Sequence, residues 1–232
     1  MIDPDRDGGF EPPVNPIPPL IILLTLVIVL VEGAFSLAEA GVVGGRTGIG
    51  WRIAALNDYG LNPQVWQVML TRGVGDVDLL VRFAAYPFVH ASFTQALFGA
   101  ALLLALGKFV GEAFGGVATL VFFFGGTIFG AVVFCLLAPP TSPLFGAFTP
   151  IYALIGAYTY QIWLRLGHMG ENQMRAFTLI GFLLGIQLVF GVLFGGGHMW
   201  IAELAAFVFG FAAATVLVPG GWAALLERLR ER

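Results

Sequence analysis

An all-α polytopic membrane protein is the fold class that this 232-residue sequence predicts. Three observations predict it. The chain is 58% hydrophobic with a mean hydropathy of +0.89. Its charged fraction is 11%, less than half of the roughly 25% usual in soluble domains. Its apolar residues gather into windows of about 19, the length that crosses ~30 Å of hydrocarbon at ~1.5 Å per residue. Backbone polar groups in lipid must be satisfied within their own segment, so windows of this length read as helices. The 32 glycines fit that class, because glycine is tolerated in membrane helices and lets them pack closely.

In chain order, residues 1–16 are acidic and proline-rich and read as a flexible tail without the positive n-region of a signal peptide. A membrane domain follows over 17–218. Its six expected spans are Ile17 to Leu37, Phe88 to Val110, Val117 to Leu137, Phe148 to Leu166, Ala176 to Phe194 and Trp200 to Val218. Between the first two lies a long connection from Gly41 to Pro87, with apolar residues at helical spacing between Asn, Gly and Asp breakers. Its Trp51, Trp66, Arg52, Arg72 and Arg82 suit an element in the membrane interface, and a folded extramembrane loop is the alternative. Residues 219–232, within "GGWAALLERLRER", read as a short amphipathic helix on the inner surface.

With the N-terminus inside, Arg6, Lys108, Arg165, Arg175, Arg228, Arg230 and Arg232 fall on the cytoplasmic side. Arg46, Arg52, Arg72 and Arg82 fall in the long outer loop, which counts less under the positive-inside rule. Both termini are therefore expected in the cytoplasm, and the expected location is a bacterial inner membrane. A net charge of −3 without a basic run argues against nucleic acid. Gly107, Gly111 and Gly115, then Gly126 and Gly130, then Gly181 and Gly185 repeat at four-residue spacing and are expected to let helices approach.

Polar residues inside spans cost energy, so they are the informative ones. In the second span, "YPFVHASFTQALFGAAL" holds His90, Ser92, Thr94 and Gln95. The fourth holds Thr149 and Tyr152 one turn apart. In the sixth, "MWIAELAAFVFGF" sets Glu203 among apolar residues, with Ala206 and Gly210 on the same helix face. Glu32 is a second acid inside a span. Each has a purely structural reading as a hydrogen-bonded helix bridge. The three histidines and Glu203 lack metal-ligand spacing, so no metal and no cofactor are expected. Cys135 reads as a small core residue.

Together these segments resemble the rhomboid family of intramembrane serine proteases. "VRFAAYPFVHASFTQALFGAALLLALGKFVGEAFG" is similar to the family's ordered run of Trp-Arg, Thr-His, His, His, Asn, Gly, Glu and Gly. Arg82 and His90 stand at its first-loop Arg and structural His, and Gly107 and Gly115 at its glycines. The resemblance covers about Trp51 to Leu217 and implies the family's six-helix membrane bundle with a long interfacial loop between helices 1 and 2. It also marks departures. The family has Gly-x-Ser-Gly at the start of the fourth span, with an aromatic four residues after the serine. Counting back from Tyr152 in "GAFTPIYALIG" puts Phe148 at the nucleophile position and Thr149 at the following glycine. In "AELAAFVFG", Ala202, Ala206 and Gly210 fit the sixth-span pattern and Glu203 stands at the base. Gln95 and Gly99 replace the His and Asn that help bind the oxyanion.

Thr149 with His198 or Glu203 is the substitute arrangement that the sequence offers. Ser142 lies in a loop between two prolines, Ser36 lies in the first span, and Ser92 is two residues from His90, on a different helix face. The expectation is a rhomboid-like pseudoprotease whose cavity binds transmembrane segments of client membrane proteins. An active protease with displaced residues and a structural subunit of a membrane complex are the alternatives.

Overall fold

The structure, a computed structural model, describes residues 17–72, 77–194 and 197–218. The tail expected over 1–16 and the amphipathic helix expected over 219–232 lie outside the described residues. Helix α1 spans Pro19–Glu39, entered through Pro18 and Pro19, whose fixed φ suits a first helical turn. The long connection then folds into four short helices, α2 (Gly45–Gly48), α3 (Trp51–Tyr59), α4 (Pro63–Arg72) and α5 (Val77–Ala85). A 3₁₀ turn over Tyr86–Phe88 leads through His90 to a bend over 91–92.

Helix α6 runs over Phe93–Phe114, so the second helix starts five residues later than hydropathy suggests. Pro87 holds the preceding turn, and the Ser92 side chain caps the helix by accepting the Gln95 N–H at 3.2 Å. It ends at Gly115, whose φ of +82° only glycine adopts readily. Beyond it, α7 (Gly116–Leu120) and α8 (Gly126–Leu137) join through one π-helical turn over Val121–Gly125. Helix α9 covers Phe148–His168, α10 Thr178–Phe194 and α11 Trp200–Leu217. A helix therefore occupies each of the six segments that hydropathy marks, and Pro19–Glu39, Phe93–Leu137 and Trp200–Leu217 are long and apolar enough to cross a bilayer. Among the described residues the sole β pairing is the isolated bridge between Leu61 and Leu144, which ties the first connection to the loop before α9.

Helix α9 is the axis of the bundle. Thr149 through Ala157 are buried without interruption, enclosed by α6, α8 and α11. Helix α11 packs along it because Gly210 carries no Cβ: one there would collide with the Ala153 carbonyl. Gly156 answers from α9, where a Cβ would strike the Phe207 carbonyl. Of the spaced glycines, Gly107 admits Ile21 of α1 and Gly126 admits Ala153 of α9. Gly115 serves instead as a helix stop, and Gly181 and Gly185 of α10 face open space with nothing within 4 Å.

Candidate functional site

The turn that enters α9 is held from two sides. Gly146 takes φ +88° and donates its N–H to the Tyr86 carbonyl at 2.9 Å. The next N–H, of Ala147, donates to His90 Nε2 at 3.2 Å. His90 is 1% exposed, and the bond requires Nε2 to carry no proton. It sits in the segment ahead of α6, where burial lowers its pKa to about 4. Gly146 and Gly99 are small for a reason: a Cβ on Gly146 would press on the Gln95 amide at 2.8 Å, and one on Gly99 would reach His90 Nε2 at 3.4 Å. Gln95 meanwhile closes its own helix start, its Oε1 accepting the Ala91 N–H at 2.9 Å.

Phe148 follows this turn and is half-buried against the core. Thr149 is buried, and its hydroxyl is a hydrogen-bonding neighbour of the Tyr86 phenol, which donates to the Thr127 carbonyl at 3.0 Å. Glu203 lies in the first turn of α11, 6% exposed, within electrostatic reach of Tyr86 and Tyr152. An acid in a first helical turn is favoured by the helix dipole. Thr149 and Glu203 thus meet at Tyr86, a residue the sequence reading did not single out, and Tyr152 is linked to the same Glu203. The signal for Tyr86 was a tyrosine four residues before a buried histidine. Ala202 and Ala206 are fully buried behind Glu203, where their small side chains let α11 close on α8 and α9.

His198 is exposed and pairs elsewhere. Its Nδ1 lies 3.0 Å from the Ser142 hydroxyl, in the two loops that lead into α11 and α9. No described bond joins His198 to Thr149; the hydroxyl that meets the imidazole is the one that two flanking prolines made look inert.

Two arginines brace the site from the first connection. Arg82 donates from Nη1 to the Asn57 and Gly60 carbonyls at 2.7 and 3.0 Å, tying off the C-terminus of α3. Arg52, read from sequence as an interface anchor, is buried instead. Its guanidinium grips Glu32 of α1 at 2.7 and 2.8 Å, Glu39 at 2.6 Å and the His90 carbonyl at 3.1 Å. Glu32 first, then Glu39, hold the guanidinium's pKa above its ordinary value. Ser36 completes the set by donating to Glu32 at 3.1 Å. Glu32, Ser36 and Glu39 recur at i, i+4 and i+7, one helix face, and that stripe was the available signal for a cationic partner.

The rhomboid-domain family model matches residues 78–220. The chain belongs to the rhomboid family. The match takes in every element from α5 to α11, and with them His90, Gln95, Phe148 and Glu203. This rhomboid is an integral membrane protein in contact with the lipid bilayer, as its long apolar helices require. No curated protein matches the chain.

Proposed function

We propose that this rhomboid is a pseudoprotease, holding transmembrane segments of client proteins in its cavity without cleaving them. The observation that carries this reading is the engagement of the α9 entry. Hydrolysis through an acyl-enzyme needs a nucleophile beside a base and free donors aimed at the oxyanion. At the positions where the family resemblance expects nucleophile and base stand Phe148 and Glu203. The Gly146 and Ala147 N–H groups beside them already serve the Tyr86 carbonyl and the His90 imidazole. In this reading Gln95, Thr149, Tyr152 and Glu203 supply the hydrogen bonds to a polar or helix-breaking client segment, and Phe148, half-buried, supplies an apolar contact. The reading further places both termini in the cytoplasm and the chain in a bacterial inner membrane.

A photo-crosslinker at Phe148 or Glu203 tests the client reading. Adducts with the transmembrane segment of a co-purifying protein support it. Crosslinks obtained instead from lipid-facing positions such as Leu97 or Val208 favour a structural subunit.

The Ser142–His198 contact favours a second reading, retained hydrolysis with a displaced pair. Ser142 precedes Phe148 and His198 precedes Glu203, so the same two chain segments that enter α9 and α11 carry both pairs. Incubation with a fluorophosphonate probe and a transmembrane reporter substrate separates the two. The pseudoprotease reading expects neither labelling nor cleavage. Labelling or cleavage lost in Ser142→Ala, or in Thr149→Ala, overturns it.

A further inference from the structure

At the end of the bundle opposite Phe148 and Glu203, a cavity of about 290 Å³ opens between α6 and α9. The two helices start side by side at the His90–Ala147 bond and run in parallel. Glu112 of α6 and Arg165 of α9 both line the cavity. At ~1.5 Å per residue each lies about 25–30 Å along its helix from the level of the candidate site, roughly one hydrocarbon thickness away. That depth is the headgroup zone of the other leaflet. The rest of the wall is mixed: Phe109 and Tyr158 stand with ring centroids 5.6 Å apart, beside Gln161 and Ile162.

Glu112 and Arg165 are exposed, and among the described residues neither forms an ion pair. One cavity at headgroup depth therefore presents an unpaired carboxylate, an unpaired guanidinium, an amide and an aromatic-aliphatic floor. A guanidinium matches a phosphate in shape and charge. A carboxylate accepts from an ammonium and repels a second anion. An anionic headgroup would meet Glu112, and a quaternary ammonium has no N–H to donate to it. We propose that this cavity binds a zwitterionic glycerophospholipid with a phosphoethanolamine headgroup. Arg165 takes the phosphate, Glu112 takes the ammonium, Gln161 reaches the glycerol ester, and the first acyl methylenes lie over Phe109, Tyr158 and Ile162. The proposal is independent of what the opposite end of the bundle binds.

Full-length protein in detergent, titrated with dioleoyl phosphatidylethanolamine, phosphatidylcholine or phosphatidylglycerol, tests it by native mass spectrometry. Half-occupancy is expected at roughly 3- to 10-fold lower concentration for the ethanolamine lipid, the range for charge-assisted bonds at a wet site. Glu112→Gln is expected to remove the preference over the glycerol lipid. Arg165→Gln is expected to weaken retention of all three. Both side chains are exposed, so melting temperatures should match wild type, and the three-lipid comparison on wild type needs no variant. Equal retention of the three lipids, tighter retention of the glycerol lipid, or a preference that survives both substitutions overturns the proposal.

Discussion

Among the described residues, Arg52 donates more side-chain hydrogen bonds than any other side chain. It joins α1, α3 and the His90 segment through three acceptor groups, two of them buried. Removing one member of a buried pair leaves the other charged and unsolvated, at a cost of about 3 kcal/mol or more. Arg52→Leu and Glu32→Leu should each lower the midpoint of chemical denaturation in mixed micelles. Glu39→Gln should lower it far less, because that carboxylate stays in contact with water. A double variant, Arg52→Leu with Glu32→Leu, should recover most of the loss; a midpoint below both single variants would show that the pair is not the source.

His90 gives a pH signature. Its folded pKa, near 4, lies below the ordinary histidine value of about 6.5. Between those values the unfolded chain binds the extra proton, so stability rises with pH across that window and falls on acidification through it. Below about pH 4 this contribution is gone. Protonation would turn the acceptor of the Ala147 N–H into a donor. Melting temperatures recorded from pH 7.5 down to 4 should show a drop centred between pH 6.5 and 4. That drop should shrink in His90→Gln, which keeps an acceptor without titrating.

Among the elements, the α9–α11 seam is set by the absence of side chains. Gly210→Ala would thrust a methyl at the Ala153 carbonyl, a rigid group that cannot turn aside. Overpacking of this kind costs about 1–3 kcal/mol, and the seam positions Glu203, so client crosslinking should fall with it. Gly181→Ala is the internal control: nothing lies within 4 Å, and helix propensity favours alanine. Thermal melts should show Gly210→Ala destabilised and Gly181→Ala unchanged or slightly stabilised. An equal drop in both would mean that α10 packs as tightly as α11. Gly115→Ala should cost about 1 kcal/mol through its positive φ alone, since open space surrounds it.

Element boundaries were legible where local chemistry sets them and elusive elsewhere. Proline at the start of α1 and glycine at the end of α6 are local signals. The start of α6 was not, because Phe88 to Ala91 are as apolar as a helix yet are drawn into a bend by the Tyr86 and His90 bonds to the next loop. The first connection looked interfacial from its Trp and Arg content. Its exposed Trp51 and Ile53 agree with that, while Arg52 between them turns inward.

Across the whole molecule, the polarity of α9 shows how position in the bundle governs composition. Its threonines and tyrosines make it less apolar than its neighbours, and among the described residues it is also the most enclosed helix. A central helix meets protein on most sides and can carry polar groups that a lipid-facing helix cannot. The same arrangement puts the α9 entry and the start of α11 together at one end, and Glu112 and Arg165 together at the other.

By itself the sequence determined that this is an all-helical membrane protein of the rhomboid family, where its helices fall, and which spans carry polar residues. Those are properties of windows and spacings, set by the cost of placing backbone and charge in hydrocarbon. The tertiary structure decided which of those residues meet. It sent Arg52 inward to Glu32, matched His198 with Ser142, and drew Thr149 and Glu203 around Tyr86. Such pairings join residues from segments far apart in the chain, and they follow from how the helices and the loops between them pack, which no single segment encodes.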